Sequence, residues 1–217
     1  MSAARDEILQ RVRLALRDVP QREQPTDVAV ERGYRPTADA SREHVIELFV
    51  ERVREYKATV RIVTAHALPT TIAESCAARG VRRLLVPVDI PREWLPAGIE
   101  ALRDTELTYA QIDGCDGVLT GCALGIAQTG TIVLDGGQAQ GRRVLTLLPD
   151  YHLCVVRTEQ IVGLVPEAVA RLVPAVCEQQ RAITFISGPS ATSDIELNRV
   201  EGVHGPRTLE VIVVTPD

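Results

Sequence analysis

Aromatic residues make up only 3% of this 217-residue chain, with two Phe, four Tyr and one Trp. A core must therefore come from Val, Leu, Ile and Ala, which suits a parallel sheet covered by helices, whose buried strands read as aliphatic runs. No stretch approaches the ~18 apolar residues needed to span a membrane. The start, MSAARDEILQ, has no apolar segment of the secretory kind. The expectation is a cytoplasmic protein with no membrane span. No CxxC occurs, and the five cysteines (Cys76, Cys115, Cys122, Cys154 and Cys177) are scattered and odd in number. That pattern excludes a disulfide framework and does not suit a zinc ribbon or an iron–sulfur cluster held by this chain alone. Buried free thiols are expected instead. His44, His66, His152 and His204 are dispersed without HExxH, so no metal site is expected. GxGxxG and GxxxxGK[ST] are both absent, which removes the standard dinucleotide and P-loop readings. Charge is nearly balanced, with 24 Lys+Arg against 29 Asp+Glu for a net −5. Without a basic stripe or an aromatic platform, a nucleic-acid partner is not expected. Arg82-Arg83 and Arg142-Arg143 read as local features.

What remains is an alternation. Ile8, Leu9, Val12 and Leu16 mark a helical face over residues 3–18, followed by a proline-bearing polar stretch to about residue 40. From Ser41, a candidate cap, Val45, Leu48, Phe49, Val53 and Tyr56 keep helical spacing. ATVRIVT (58–64) reads as a strand, 69–79 as a helix ending at Gly80, and RRLLVPVD (82–89) as a second strand. Residues 94–103 read as a helix and ELTYA (106–110) as a short third strand. Beyond residue 112, VLTGCALGIA and TIVLD flank a tight turn at Gln128-Thr129-Gly130. HLCVV (152–156), AITFISG (182–188) and TLEVIVV (208–214) read as further strands. Pro166 suits the first turn of a helix that Pro174 ends or kinks. The fold class is α/β, a mostly parallel Rossmann-like sheet covered by helices, with an N-terminal helical arm. Residues 1–40 form the arm and 41–217 the α/β domain. The arm is free to dock on the body or to serve self-association into a homo-oligomer.

Three glycine-punctuated segments are candidates for chemistry. In the first, a strand runs into Ser187-Gly188-Pro189-Ser190, then Thr192, then Ser193-Asp194-Ile195-Glu196, which fits a capping box with Ser193 as N-cap. A helix start at the end of a strand offers free N–H groups to an anion, and ligands in open α/β sheets favour the crevice beyond the strand C-termini. The bland reading, a satisfied turn and cap, carries slightly more weight from this segment alone. Thr192 stands where a serine-hydrolase elbow needs glycine. The second segment is Gln128-Thr129-Gly130-Thr131, where Gly130 permits close backbone approach; hairpin turns look much the same. The third is Glu201-Gly202-Val203-His204-Gly205, where glycines flank a histidine. His152, at a strand start, reads as structural.

Thr129-Gly130-Thr131-Ile-Val-Leu, Leu148-Pro149-Asp150-Tyr151-His152 and GPSATSDIELNRVEGVHGPRTLEVIVV (188–214) resemble the lactate-utilisation protein C (LUD-domain) family, in order across residues 110–217. The resemblance implies a fold related to ribose-phosphate isomerase, glucosamine-phosphate deaminase and CoA-transferase domains. It also implies a subunit of an L-lactate-oxidising system, with iron–sulfur clusters carried by partner subunits and no cofactor on this chain alone. The positions carried over are Thr129, Gly130, Gly188, Pro189, Ser190, Thr192, Asp194, Glu196, Glu201, His204 and Gly205. The family pattern is often acidic where Gln128 stands. Together with Gln128, Thr131 and Ser193, these positions form the expected site for a small anionic ligand. If the chain is instead a stand-alone enzyme on a phosphorylated sugar or acyl-CoA, Asp194, Glu196 and His204 are the acid/base candidates. A third reading is a purely structural assembly module.

Overall fold

The aliphatic runs pair side by side as parallel strands. A computed structural model describes residues 3–20, 22–24, 27, 29–31, 33–193, 199–201 and 205–217, with the backbone alone at 191–193 and 199–201. It divides into two units, Met1–Tyr34 and Arg35–Asp217. In the first, α1 (Ala3–Ala15) has no buried residue, and Ile8, Val12 and the following Leu16 are exposed.

The second unit runs in chain order through α2 (Arg42–Glu55), β1 (Thr59–Thr64), α3 (Leu68–Ala78), β2 (Arg83–Val86), β3 (Glu100–Arg103), α4 (Tyr109–Asp113), β4 (Gly117–Thr120), β5 (Leu124–Ile126) and β6 (Thr131–Leu134). It continues through β7 (Tyr151–Arg157), β8 (Ile161–Val162), α5 (Val165–Cys177), β9 (Thr184–Ile186), β10 (Ala191–Ser193), β11 (Arg199–Glu201) and β12 (Thr208–Thr215). Six of these strands make one sheet in the order β1-β12-β7-β4-β2-β3, and every pair in it is parallel. A smaller sheet, β8-β5-β6-β9, is mixed, and β10 and β11 form an antiparallel ribbon.

Strand alternation divides the core between two layers. On one face of the parallel sheet Cys154, Val156, Leu209, Val211 and Val213 meet Val45, Phe49, Val50 and Val53 of α2 and Ile132 and Leu134 of the smaller sheet. On the other face Leu153, Val155, Ile212 and Val214 meet Leu68, Ile72 and Cys76 of α3, with Trp94. Ser41 caps α2, its hydroxyl accepting from the His44 N–H at 3.2 Å, and Gly80 takes φ +65 after α3, both as expected.

Several expectations need correction. Residues 94–103 are not a helix. A 3-10 turn at Arg92–Trp94 precedes Pro96 and Gly98 (φ +81), which together forbid a continuous helix, and the chain re-enters as edge strand β3. Residues 106–110 are not a strand. Thr108 accepts from the Gln111 N–H while the Gln111 side chain reaches back, a capping box that starts α4. The backbone of Ser193 lies in β10 opposite Arg199, and the helix it was expected to cap falls outside the described residues. Of the two expected effects of Pro174, ending or kinking the helix, the first does not occur: α5 runs on to Cys177, and the carbonyl that loses its donor, Ala170, is on an exposed turn. Four cysteines are buried, but Cys177 is exposed.

Candidate functional site

The segment at Gly188 was expected beyond the carboxyl end of a strand, and the three glycine-punctuated segments were expected to share one site. Gly188 does follow the carboxyl end of β9, but the hollow it lines sits at the amino ends of two strands of the larger sheet. Gly188 and Ser190 face Gly205 and Pro206 around a hollow of about 230 Å³, which also takes in Arg143, Thr146, His152, Ser187 and Leu209. His152 and Leu209 are the second residues of β7 and β12 and are paired in register. The Ser190 N–H donates to Pro206 O at 2.8 Å, tying the two segments together.

The segment at 128–131 reaches this hollow through a line of hydroxyls. Thr129 Oγ1 lies 2.7 Å from Thr131 Oγ1, which lies 2.8 Å from Ser187 Oγ in the wall. Gln128 points elsewhere. Its side-chain oxygen accepts from the Val165 N–H at the start of α5, at 3.5 Å, the outer limit of a hydrogen bond. An acidic side chain at that position would meet the positive end of the same helix.

Gly130 and Gly188 sit where a side chain would collide with neighbouring residues, while Gly205 has ordinary space around it. Gly130 has φ +58, and a side chain on it would stand 2.6 Å from the backbone carbon of Arg52. Gly188 has φ +86, and its Cβ would stand 2.5 Å from Cβ of Tyr56. The close backbone approach expected of Gly130 is met at the end of α2.

Charge in the hollow comes from a residue that motif reading passed over. Arg143 donates to Thr146 Oγ1 at 2.7 Å and to Thr146 O at 3.2 Å, and it has no carboxylate partner among the described residues. Partial burial pushes its pKa down from the usual arginine value, yet a guanidinium stays protonated at neutral pH. Its neighbour Arg142 is spent on a two-pronged contact with Asp104. Arg142-Arg143 after Gly141 was the signal, and nothing in the sequence distinguishes the two roles. His152 is buried, with Nε2 2.8 Å from Thr120 Oγ1, as a structural histidine should be. Thr192, Ser193 and Glu201 have only their backbones described, and Asp194, Glu196 and His204 lie outside the described residues.

A larger hollow of about 470 Å³ opens at the carboxyl edge, where Gly121 and Cys122 follow β4 and Val155 and Arg157 end β7. It is also lined by Trp94, Asp135, Gln160, Arg171 and Arg181. Gln160 fixes this rim by donating to Cys122 O at 2.6 Å while accepting from the Arg157 N–H at 2.8 Å. A third hollow of about 300 Å³ shares Arg143 and Thr146 with the amino-edge site and Asp135 and Arg181 with the carboxyl-edge one. No group of His, Cys, Asp and Glu able to hold a metal occurs among the described residues.

Residues 25–214 match the LUD domain family. The chain belongs to that family. It is 50% identical over 182 residues to the lactate utilization protein C of Deinococcus radiodurans, covering 83% of this chain and 84% of that one. It is 31% identical to the lactate utilization protein C of Geobacillus thermodenitrificans, covering 70% of each. A crystal structure of a DUF162 family protein from Deinococcus radiodurans superposes with a TM-score of 0.71 at 43% identity, covering 81% of this chain and 99% of that one. The LUD-domain chain has no helix long and apolar enough to cross a membrane among its described residues.

Proposed function

We propose that this LUD-domain chain serves L-lactate utilisation in the cytoplasm and holds a small carboxylate in the amino-edge hollow. The relatives named for lactate utilisation support the role. The observation that carries the site is Arg143, a partly desolvated guanidinium with no carboxylate partner among the described residues, facing the hollow that Gly188, Ser190 and Gly205 build. A three-carbon hydroxy acid has one charge for the arginine and a hydroxyl for the serines, and a hollow of about 230 Å³ has room for it. In this reading the electron-transfer chemistry belongs to iron–sulfur partner subunits, and the chain presents or senses the acid beside them.

Deleting the gene should abolish growth on L-lactate as sole carbon source while leaving growth on glucose unchanged. A plasmid carrying the native gene should restore growth, and one carrying Arg143→Ala should not. Normal growth of the deletion strain on L-lactate, with no second copy of the gene, would contradict the role; full rescue by Arg143→Ala would contradict the site.

A further inference from the structure

The carboxyl-edge hollow answers a different chemistry. Three guanidinium groups and one carboxylate line it, in a chain whose net charge is −5. Asp135 engages one of the three, with Arg181 Nη1 at 3.1 Å from its carboxylate. The same carboxylate also accepts from the Gly137 N–H and from the Gln140 side chain, so its charge is spent inside its own loop. Arg157, at the end of β7, lies over the Trp94 ring at 5.8 Å from its centroid. Arg171, on α5, donates only to the Glu159 carbonyl, at 3.3 Å. Neither has a carboxylate partner among the described residues. Two cations from separate elements thus share one concavity with no carboxylate in ion-pair contact among the described residues. Arg171 and Glu167, one turn earlier on α5, influence each other only at longer range, and Asp135 is held by Arg181. The place is the crevice beyond the carboxyl ends of parallel strands, where α/β sheets bind ligands.

We propose that this carboxyl-edge hollow is a second binding site, for a phosphorylated small molecule carrying at least two negative charges. Arg157 and Arg171 address separate oxygens of a phosphate, which accepts from several guanidinium forks at once. The hollow, at about 470 Å³, is in the usual range for a small-molecule site and roomier than the amino-edge one. The Gln160 side chain ties the β4–β5 connection to the end of β7, so the wall is set before a ligand arrives. The proposal stands apart from the lactate reading, which concerns the other edge of the sheet.

Trp94 is the chain's single tryptophan and lines this hollow, so its emission reports occupancy directly. Pyrophosphate, inorganic phosphate, citrate and L-lactate are titrated into the full chain, following Trp94 emission and, in parallel, heat. Pyrophosphate is expected to bind saturably, more weakly as salt rises, and more tightly than phosphate. Arg171→Ala, which leaves the Arg157–Trp94 stack alone, should weaken it about tenfold with an unchanged circular dichroism spectrum. Arg143→Ala should leave pyrophosphate binding as it is. No emission change and no heat up to about 10 mM pyrophosphate would overturn the proposal, as would Arg171→Ala titrating like the native chain. Citrate binding as tightly as pyrophosphate would overturn the phosphate assignment.

Discussion

The two edges of the parallel sheet are built by opposite means. The amino edge draws Gly188, Ser190 and Gly205 from segments with a recognisable glycine signature, while its cation, Arg143, comes from outside them. The carboxyl edge has glycines in its wall too, Gly121 and Gly137, but draws Trp94, Arg157, Arg171 and Arg181 from elements with no shared motif. A glycine signature therefore marks where backbones must approach closely, here against Arg52 and Tyr56 of the α2 region, and does not mark where charge is delivered. Gly188 does follow the carboxyl end of β9, as expected, yet the hollow it lines sits at the amino ends of β7 and β12 in the larger sheet. The carboxyl-edge rule predicts a crevice, and the crevice is present, but other residues line it.

Substitutions at four positions test this contrast, taken in order of their expected effect on stability. Under the amino half of β12, on the face away from the hollow, Glu210 is buried against Ser75 Oγ at 2.7 Å, Arg61 Nε at 2.9 Å and Tyr151 Oη at 3.0 Å. Glu210→Ala should cost about 3 kcal/mol, at the low end for a broken buried ion pair because Arg61 and Arg79 keep roughly a third of their exposure. Urea unfolding reads that loss. Burial alone would raise the Glu210 pKa, but the Ser75 and Tyr151 hydroxyls and Arg61 outweigh it and hold it below the ordinary glutamate value. The stabilisation is thus fully present above the unfolded-state pKa and is lost as pH falls through the lower, folded one. Native protein should lose stability below about pH 4.5 more steeply than Glu210→Gln.

Gly188→Ala should cost about 2 kcal/mol, from the positive φ and the encounter with Tyr56. It should also weaken any ligand of the amino edge while sparing the carboxyl edge, which calorimetry at both sites would show. Thr131→Val breaks the hydroxyl line from Thr129 to Ser187 and should cost about 1 kcal/mol in thermal unfolding. Arg143→Ala should change stability by no more than about 0.5 kcal/mol, because its bonds go only to Thr146. A large loss of stability there would mean that Arg143 is a structural tie, and the contrast between edges would lose its amino-edge half.

The aliphatic runs made β2, β7 and β12 legible, because buried parallel strands leave a mark no other element leaves in a chain this poor in aromatics. The half-exposed edge strand β1 showed through its β-branched Thr59, Val60, Ile62, Val63 and Thr64. Residues 94–103 misled because Ile99, Ala101 and Leu102 suit helix or strand alike, and only Pro96 and Gly98 decide the matter. Thr108 and Gln111 carried a visible capping signal that a β-rich composition at 106–110 overrode. Ser193 and Glu196 carried the same kind of signal; Ser193 pairs with Arg199 in β10, and the rest of that segment lies outside the described residues. For the site, the convergence of Gly188, Ser190 and Gly205 was legible from their shared signature. The roles of Arg142 and Arg143 were not, because Asp104 is 38 residues away from Arg142 in sequence and only the fold brings it there.

The most direct measurement is a crystal structure of the chain grown with L-lactate. A carboxylate is expected on the Arg143 guanidinium between Gly188 and Gly205, with the Ser187–Thr131–Thr129 hydroxyl line intact behind it. A lactate seated instead between Arg157 and Arg171 at the carboxyl edge, with the amino-edge hollow holding only water, would contradict it.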